Sequence, residues 1–259
     1  MKKKKITQDK VVYFINYVLL ALLLVIVLYP IIYIISCSFS SGSALMAGRV
    51  RLLPVEFTFD SYKAVFKYQS IWSGYKNSVI YTIVGTLISI VFTLFAAYPL
   101  SRDDFRGQKL FTGLFLFTMM FSGGLIPTYL LVRNLKLIDT MWAIVLPGAV
   151  SAYNMIVART FFKQTIPKEL MEAAEMDGCS DFKFFSRIVI PLSTPIVAVL
   201  CLWVAVSLWN SYFNPMIYIN SEDKYPLQLV LRRILLMSQV NLNSSSVDPQ
   251  VCLLYTSPS

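Results

Sequence analysis

The sequence predicts an all-α integral membrane chain with five transmembrane helices. Three observations carry that prediction. Of 259 residues, 56% are hydrophobic and only 14% are charged, whereas a soluble globular chain is about a quarter charged. The charges are also unevenly spread, for Val11–Gly48, Asn77–Ser101, Leu110–Val132, Thr140–Ala158 and Ile188–Ser221 contain none. A helix needs about 20 apolar residues to cross the hydrocarbon, and each stretch supplies that length or nearly so. The net charge of +9 gathers in segments between these stretches, the pattern of cytoplasmic loops rather than of nucleic-acid binding.

The spans are expected at about 11–35, 77–100, 110–132, 140–160 and 193–219. Residues 1–10 form a basic tail with Lys2–Lys5 and Lys10. A basic start before an apolar run resembles a signal peptide, and Ile34-Ile35-Ser36-Cys37 resembles a lipoprotein cleavage box. The apolar core Val11–Ile35 is too long for a signal core of 7–15 residues, so it reads as a first transmembrane helix. The loop after the second span carries Arg102, Arg106 and Lys109. The loop between the fourth and fifth carries Arg159, Lys163, Lys168, Lys183 and Arg187, whereas the one between the third and fourth has only Arg133 and Lys136. The positive-inside rule therefore places the N-terminus and the two more basic loops in the cytoplasm. Ser38–Lys76 is then external, and long external segments are largely exempt from the rule. Gly123-Gly124 with Pro127, and Pro147-Gly148, are expected to kink their helices, as is tolerated where protein or a cavity satisfies the backbone.

The end of the chain departs from this pattern. After the fifth span comes a polar stretch, Ser221–Gln250, and then Val-Cys-Leu-Leu-Tyr-Thr-Ser-Pro-Ser. Residues 252–259 back-translate as TGT CTC TTA TAC ACA TCT CCG AGC, a string that resembles a transposase adapter used in sequencing-library preparation. The expectation is that these residues are not native and that the chain is a truncated fragment. The alternative is a short external tail.

Little here suits catalysis, and no catalytic residue is assigned. The chain has no His, which removes His bases and most zinc sites. The four Cys show no metal-binding or disulfide spacing, so no metal ligand is assigned. No span has a charge in its core, as ion-coupled transporters usually require. No phosphate-binding G-x-x-x-x-G-K-[ST] run occurs.

The most informative segment is 163–191. Pro167 suits the first turn of a helix, and Lys168–Met176 are helix formers. Asp177-Gly178 ends that helix, with Gly free to adopt a left-handed cap. Ser180 is placed to cap a second helix from Asp181, on which Phe182, Phe185 and Val189 share a face. Two short helices are thus expected to meet at a glycine turn on the cytoplasmic side. The first shows carboxylates at Glu169, Glu172 and Glu175.

Within that segment, Glu172-Ala173-Ala174, three residues, Gly178, nine residues and Ile188-Val189-Ile190-Pro191 resemble the E-A-A-x3-G-x9-I-x-L-P signature of ABC importer permeases. The one departure is Ile190 in place of Leu. The stretches Phe121–Tyr129, Leu146–Asn154 and Trp209–Pro215 are similar to the carbohydrate-uptake branch, in particular to complex-oligosaccharide importers and the smaller maltose-importer permease. The resemblance covers nearly all of residues 2–250. It implies the type I importer permease fold, with six spans and both termini cytoplasmic, in a bacterial cell membrane; five of the six are present here.

It also implies the function. The chain is expected to be the membrane-spanning subunit of an ATP-driven importer that moves a sugar or oligosaccharide inward. A coupling helix docks in a groove of a separate ATPase dimer, which holds the ATP and Mg; no cofactor is expected on this chain. Glu172 would make polar contacts, Ala173 and Ala174 would allow close approach, Gly178 the turn, and Ile188 and Pro191 complete the signature. A second permease and an extracellular sugar-binding lipoprotein complete the expected assembly, with no nucleic-acid partner. Tyr153, Asn154, Trp209, Asn210, Tyr212 and Asn214 are candidates for the sugar path, because amides and aromatic faces suit sugar hydroxyls and CH faces. The plainer reading of these six, interhelical hydrogen bonding or interfacial anchoring, outweighs that one on sequence grounds. The rival function is a secondary transporter or channel without an ATPase. The charge-free spans and the signature loop count against it.

Overall fold

The computed structural model of the chain describes residues 2–246; the expectation for the tail at 252–259 lies outside the described residues. Every regular element among the described residues is helical. The chain divides at Gln69–Ser70 into two units, each with its own contacts.

The first unit holds α1 (Lys2–Ser38), α2 (Gly42–Met46) and α3 (Asp60–Lys67). Val12–Ser38 is long and apolar enough to cross a membrane. The turns that follow are held locally. The Ser40 hydroxyl donates to the Ser36 carbonyl at 2.6 Å and accepts from the Val55 N–H at 3.0 Å. Phe39 stacks on Phe57 with ring centroids 5.3 Å apart.

The second unit begins with α4 (Gln69–Ser101), also long and apolar enough to cross alone. Next come α5 (Gln108–Met120) and α6 (Leu125–Asn134), bent by 113° at the break between them. The sequence marks that break with Gly123-Gly124, and Gly124 has φ +83°, a left-handed conformation that glycine adopts freely. The segment expected as a span at 140–160 is divided into α7 (Trp142–Val145) and α8 (Ala152–Thr165), with Pro147-Gly148 in the gap. The chain then forms α9 (Lys168–Met176), α10 (Asp181–Phe184), a π turn at Phe185–Val189 and α11 (Ile190–Leu192).

The last expected span, 193–219, is also interrupted, into α12 (Thr194–Trp209) and α13 (Phe213–Tyr218). Pro215 supplies the reason: it has no N–H to bond the carbonyl four residues back, and that carbonyl belongs to Ser211, in the gap. α14 (Leu227–Ser246) closes the described chain. Among the described residues two helices are long and apolar enough to cross alone, or up to four spans form if each bent pair, α5 with α6 and α10–α11 with α12 (bent by 79°), is one span.

The main core of this unit joins α4, α8, α10, the π turn and α12. Ile90, Leu94 and Ala97 (i, i+4, i+7) on α4 meet Met155, Ala158 and Phe162 (i, i+3, i+7) on α8, with Ile196 and Leu200 from α12. This is the one-stripe burial that helical periodicity dictates. Close approach matters at Gly85, where an added Cβ would lie 2.6 Å from a Leu208 methyl of α12.

The other end of the unit is tied by polar bonds. The Asp139 carboxylate accepts the Ser221 N–H at 2.9 Å, the Ser221 hydroxyl at 2.7 Å and the Lys224 ammonium at 2.7 Å. These bonds, led by that of Lys224, hold its pKa well below the usual carboxylate range. Tyr81 of α4 donates to the Lys224 carbonyl at 2.9 Å, so α4 is bound to the same corner.

Candidate functional site

The signature segment folds from local chemistry. Pro167 is extended, with ψ 147°, and α9 starts at the residue after it. At the other end Gly178 has φ +70°. Its N–H bonds the Glu175 carbonyl at 3.0 Å, and the Cys179 N–H bonds the Ala174 carbonyl at 2.9 Å. That pair of bonds is the Schellman termination, which requires a left-handed residue at the first of the two donors. Nothing lies within 4 Å of a Cβ built on Gly178. Conformation, not space, is therefore what glycine provides there.

The turn fixes which face of α9 looks outward. Met171 and Ala174 pack on the core, whereas Glu169, Glu172, Ala173 and Met176 are exposed, Met176 at 88%. The two alanines of the signature thus have different surroundings. Ala174 lets α9 approach its own subunit, and Ala173 leaves the outer face low.

The following helix differs from the sequence expectation. Ser180 stands at its N-cap position, but its hydroxyl makes no cap bond. Phe184, Phe185 and Val189 are buried while Phe182 is 67% exposed and leans on Phe95, centroids 6.4 Å apart. The π turn is the physical cause. Pro191 cannot continue the hydrogen-bond ladder, and just before it the Ile190 N–H reaches the Phe185 carbonyl, five residues back. The extra residue per turn brings Phe184 and Val189 into phase. Ile188 is packed against the core and Pro191 is exposed.

Charges surround this element. Arg102, with 13% of its side chain exposed, forks onto Asp104 at 2.8 and 2.7 Å and reaches Glu175 at 3.3 Å and also Asp181. Asp103 pairs with Lys163 at 2.8 Å and Lys168 at 2.5 Å. The hydrogen bond from Lys163, and after it that from Lys168, lower the Asp103 pKa to about 2. The Arg102 hydrogen bond lowers that of Asp104, and Asp103 raises that of Lys168. A cavity of about 270 Å³ lies beneath, lined by Arg102, Phe162, Lys168, Met171 and Glu172 among others.

A second cavity, of about 320 Å³, is lined by Ser89, Ser151, Asn154, Trp203, Ser207 and Asn214 among others. Of the six sugar-path candidates it gathers Asn154 and Asn214. Tyr153 is half-exposed, its ring centroid 5.9 Å from that of Trp203. Trp209 meets Tyr75 edge-on at 5.7 Å. The Asn210 amide bonds its own helix at the Val206 carbonyl, 2.9 Å away, and Tyr212 lies under Arg232 at 4.4 Å. Trp203 and Ser207 were missed by the sequence reading. Their signal was present, since Trp203 and Ser207 stand four residues apart on α12, with Ser211 four further on, just past its end.

Residues 2–256 match the family described as binding-protein-dependent transport system inner membrane component. The chain belongs to that family. Protein LplC of Bacillus subtilis is 42% identical over 83% of this permease and 72% of that protein. The polygalacturonan/rhamnogalacturonan transport system permease protein YtcP of the same organism is 39% identical, over 86% and 77%. An arabinooligosaccharides transport system permease protein, AraQ of Halalkalibacterium halodurans, is 31% identical, over 81% and 77%. The crystal structure of a bacterial ABC transporter involved in the import of the acidic polysaccharide alginate shares the fold with TM-score 0.84 and 39% identity, over 87% of this permease and 80% of that chain. The permease therefore has the all-helical type I ABC permease fold and is a permease subunit of an ABC importer.

Proposed function

We propose that this permease carries an oligosaccharide into the bacterial cytoplasm, driven by a separate ATPase dimer that docks on α9. The observation that carries the reading is the Schellman turn at Gly178. It seats Met171 and Ala174 on the core and leaves Glu172, Ala173 and Met176 facing outward. A short rigid helix with a low, partly acidic outer face suits insertion into a groove on another chain. Glu172 supplies polar contact there and Ala173 the close approach. Ile188 and Pro191 set the geometry behind the turn, through packing and the π turn. ATP and Mg belong to the ATPase.

In this reading the N-terminus and α9 are cytoplasmic, and five spans are formed by α1, α4, the bent pair α5–α6, α7–α8 and α10–α13. A second permease and an extracellular sugar-binding lipoprotein complete the importer. Rigid-body rocking of the spans around the cavity gives alternating access, and the work comes from the ATPase's differential binding of ATP in its two states.

The substrate class follows from the cavity and the relatives. Hydroxyls of Ser89, Ser151 and Ser207, the amides of Asn154 and Asn214, and the face of Trp203 suit sugar hydroxyls and CH faces. Among the described residues, none of those that line it is charged. This subunit then recognises hydroxyls, and any carboxylate on the sugar is matched elsewhere in the importer. Trp209, Asn210 and Tyr212, partnered outside the cavity, serve packing and anchoring, and Tyr153 backs the cavity-lining Trp203.

The test is Gly178→Asp in the intact importer, reading uptake of labelled neutral and acidic oligosaccharides together with recovery of the complex. Uptake should fall with the ATPase released or uncoupled. Wild-type uptake in that variant would contradict the assignment of α9.

A further inference from the structure

The loop joining α4 to α5 takes no part in the reading above, yet its first three residues hold both ends of α9. Arg102 contacts Glu175 in the last turn of α9 and Asp181 at the start of α10, so it spans the Gly178 turn. The Asp104 carboxylate grips the same guanidinium by two parallel bonds. Asp103 contacts Lys168, the first residue of α9, and Lys163, near the end of α8. Immediately behind, the Leu100 carbonyl of α4 accepts from Arg159 of α8 at 2.7 Å and from Gln108 of α5 at 3.0 Å. All of these bonds converge on residues 100–104.

α9 itself buries no residue fully, so apolar packing alone leaves its alignment loosely set. Isolated exposed ion pairs contribute little, but charges joined in a network, as Asp103 joins Lys163 and Lys168, hold geometry better. A mostly buried guanidinium forked onto a carboxylate and bonded to two more is directional and strong.

We propose that Arg102, Asp103 and Asp104 are positioning residues, a two-ended clamp that makes α9 move as one body with α4 and α8. Motion imposed on α9 thereby reaches Ser89 on α4 and Asn154 on α8, both of which line the larger cavity. Without the clamp, α9 tilts on its own and the cavity does not respond. The proposal rests on α9 being the ATPase-docking element.

The experiment uses the assembled importer in lipid vesicles, with the four native cysteines replaced by Ser and one reporter, Ser207→Cys, in the cavity wall. The probe is a charged, membrane-impermeant methanethiosulfonate reagent, applied with and without ATP plus vanadate. In the otherwise unmodified chain, ATP plus vanadate should change the labelling rate. Arg102→Gln and Asp103→Asn should shrink that change by about fivefold or more, the size of an ordinary coupling energy, while ADP trapping by the ATPase and recovery of the complex persist. Asp103→Glu should restore the response. A purely structural role would lower recovery and leave the response of the assembled fraction intact, which overturns the clamp. If Arg102→Gln fails to assemble, Asp103→Asn decides alone, because its ion pairs are solvent-exposed. A wild-type response in both variants, with Gly178→Asp unresponsive, defeats the clamp and spares the reading of α9. A normal response in Gly178→Asp, or a reporter blind to ATP in the parent chain, defeats that reading and the clamp with it.

Discussion

Asp103 shows how much a single carboxylate carries here. Two ammonium groups hold its pKa near 2, below the ordinary Asp value of about 3.9. A depressed carboxylate stabilises the folded state above its unfolded pKa, and that contribution disappears as pH falls through the folded one. The wild type and Asp103→Asn should therefore differ in thermal midpoint by a constant amount from about pH 5 upward and converge between about pH 4 and 2. Melting curves of the purified importer across that range check this. At the cavity, Trp203 offers the aromatic face and Asn214 an amide. Trp203→Ala and Asn214→Leu should each reduce oligosaccharide uptake by about tenfold, the effect of about 1.4 kcal/mol, with recovery of the complex unchanged. Uptake in vesicles at matched protein levels measures it.

At the scale of elements, the π turn before Pro191 separates two readings of one helix. Plain helical spacing places Phe182 on the buried face; the structure buries Phe184 in its stead. Phe184→Ala should cost about 3–5 kcal/mol, the loss for a buried aromatic, and Phe182→Ala less than about 1 kcal/mol. Unfolding of the two variants in detergent ranks them directly. The same comparison shows what was legible beforehand. Lys168–Met176 and the glycine turn were legible, because helix formers, Asp-Gly and the left-handed requirement all agree locally, although Pro167 stands extended just before the helix and not in its first turn. The π turn was not, because it arises from a missing N–H at Pro191 acting on residues one turn earlier. The break at Asn210–Tyr212 has the same kind of origin in Pro215. The pairings of Arg102 with Glu175 and Asp181 were illegible for a different reason: residues 73 and 79 positions apart are brought together only by the packing of α4 against α8 and α10.

For the whole molecule, composition alone dictated the class, since a chain with 14% charged residues has too few to face water all round. The order of apolar runs was legible too. Their division was less so, because helix breaks at 121–124, 146–151 and 210–212 fall inside charge-free stretches. Those interruptions are functionally apt: two of them flank residues that line the larger cavity, Ser151 and Asn214 among them. Nearly half of the described residues that line that cavity are serine or glycine, which sequence reasoning passes over in favour of aromatic and amide side chains. The polar cavity and the outward face of α9 occupy different parts of one helical unit, so the proposed reading requires mechanical continuity between them.

In the proposed importer α9 is the surface on which the ATPase acts. That role is tested most directly by placing a photo-cross-linking residue at Ala173, on the exposed face, in an importer assembled with its ATPase. A cross-link to the ATPase is expected, with a yield that changes between the nucleotide-free and the ATP-plus-vanadate states. An importer that transports normally yet gives no ATPase cross-link from Ala173 in either state would contradict it.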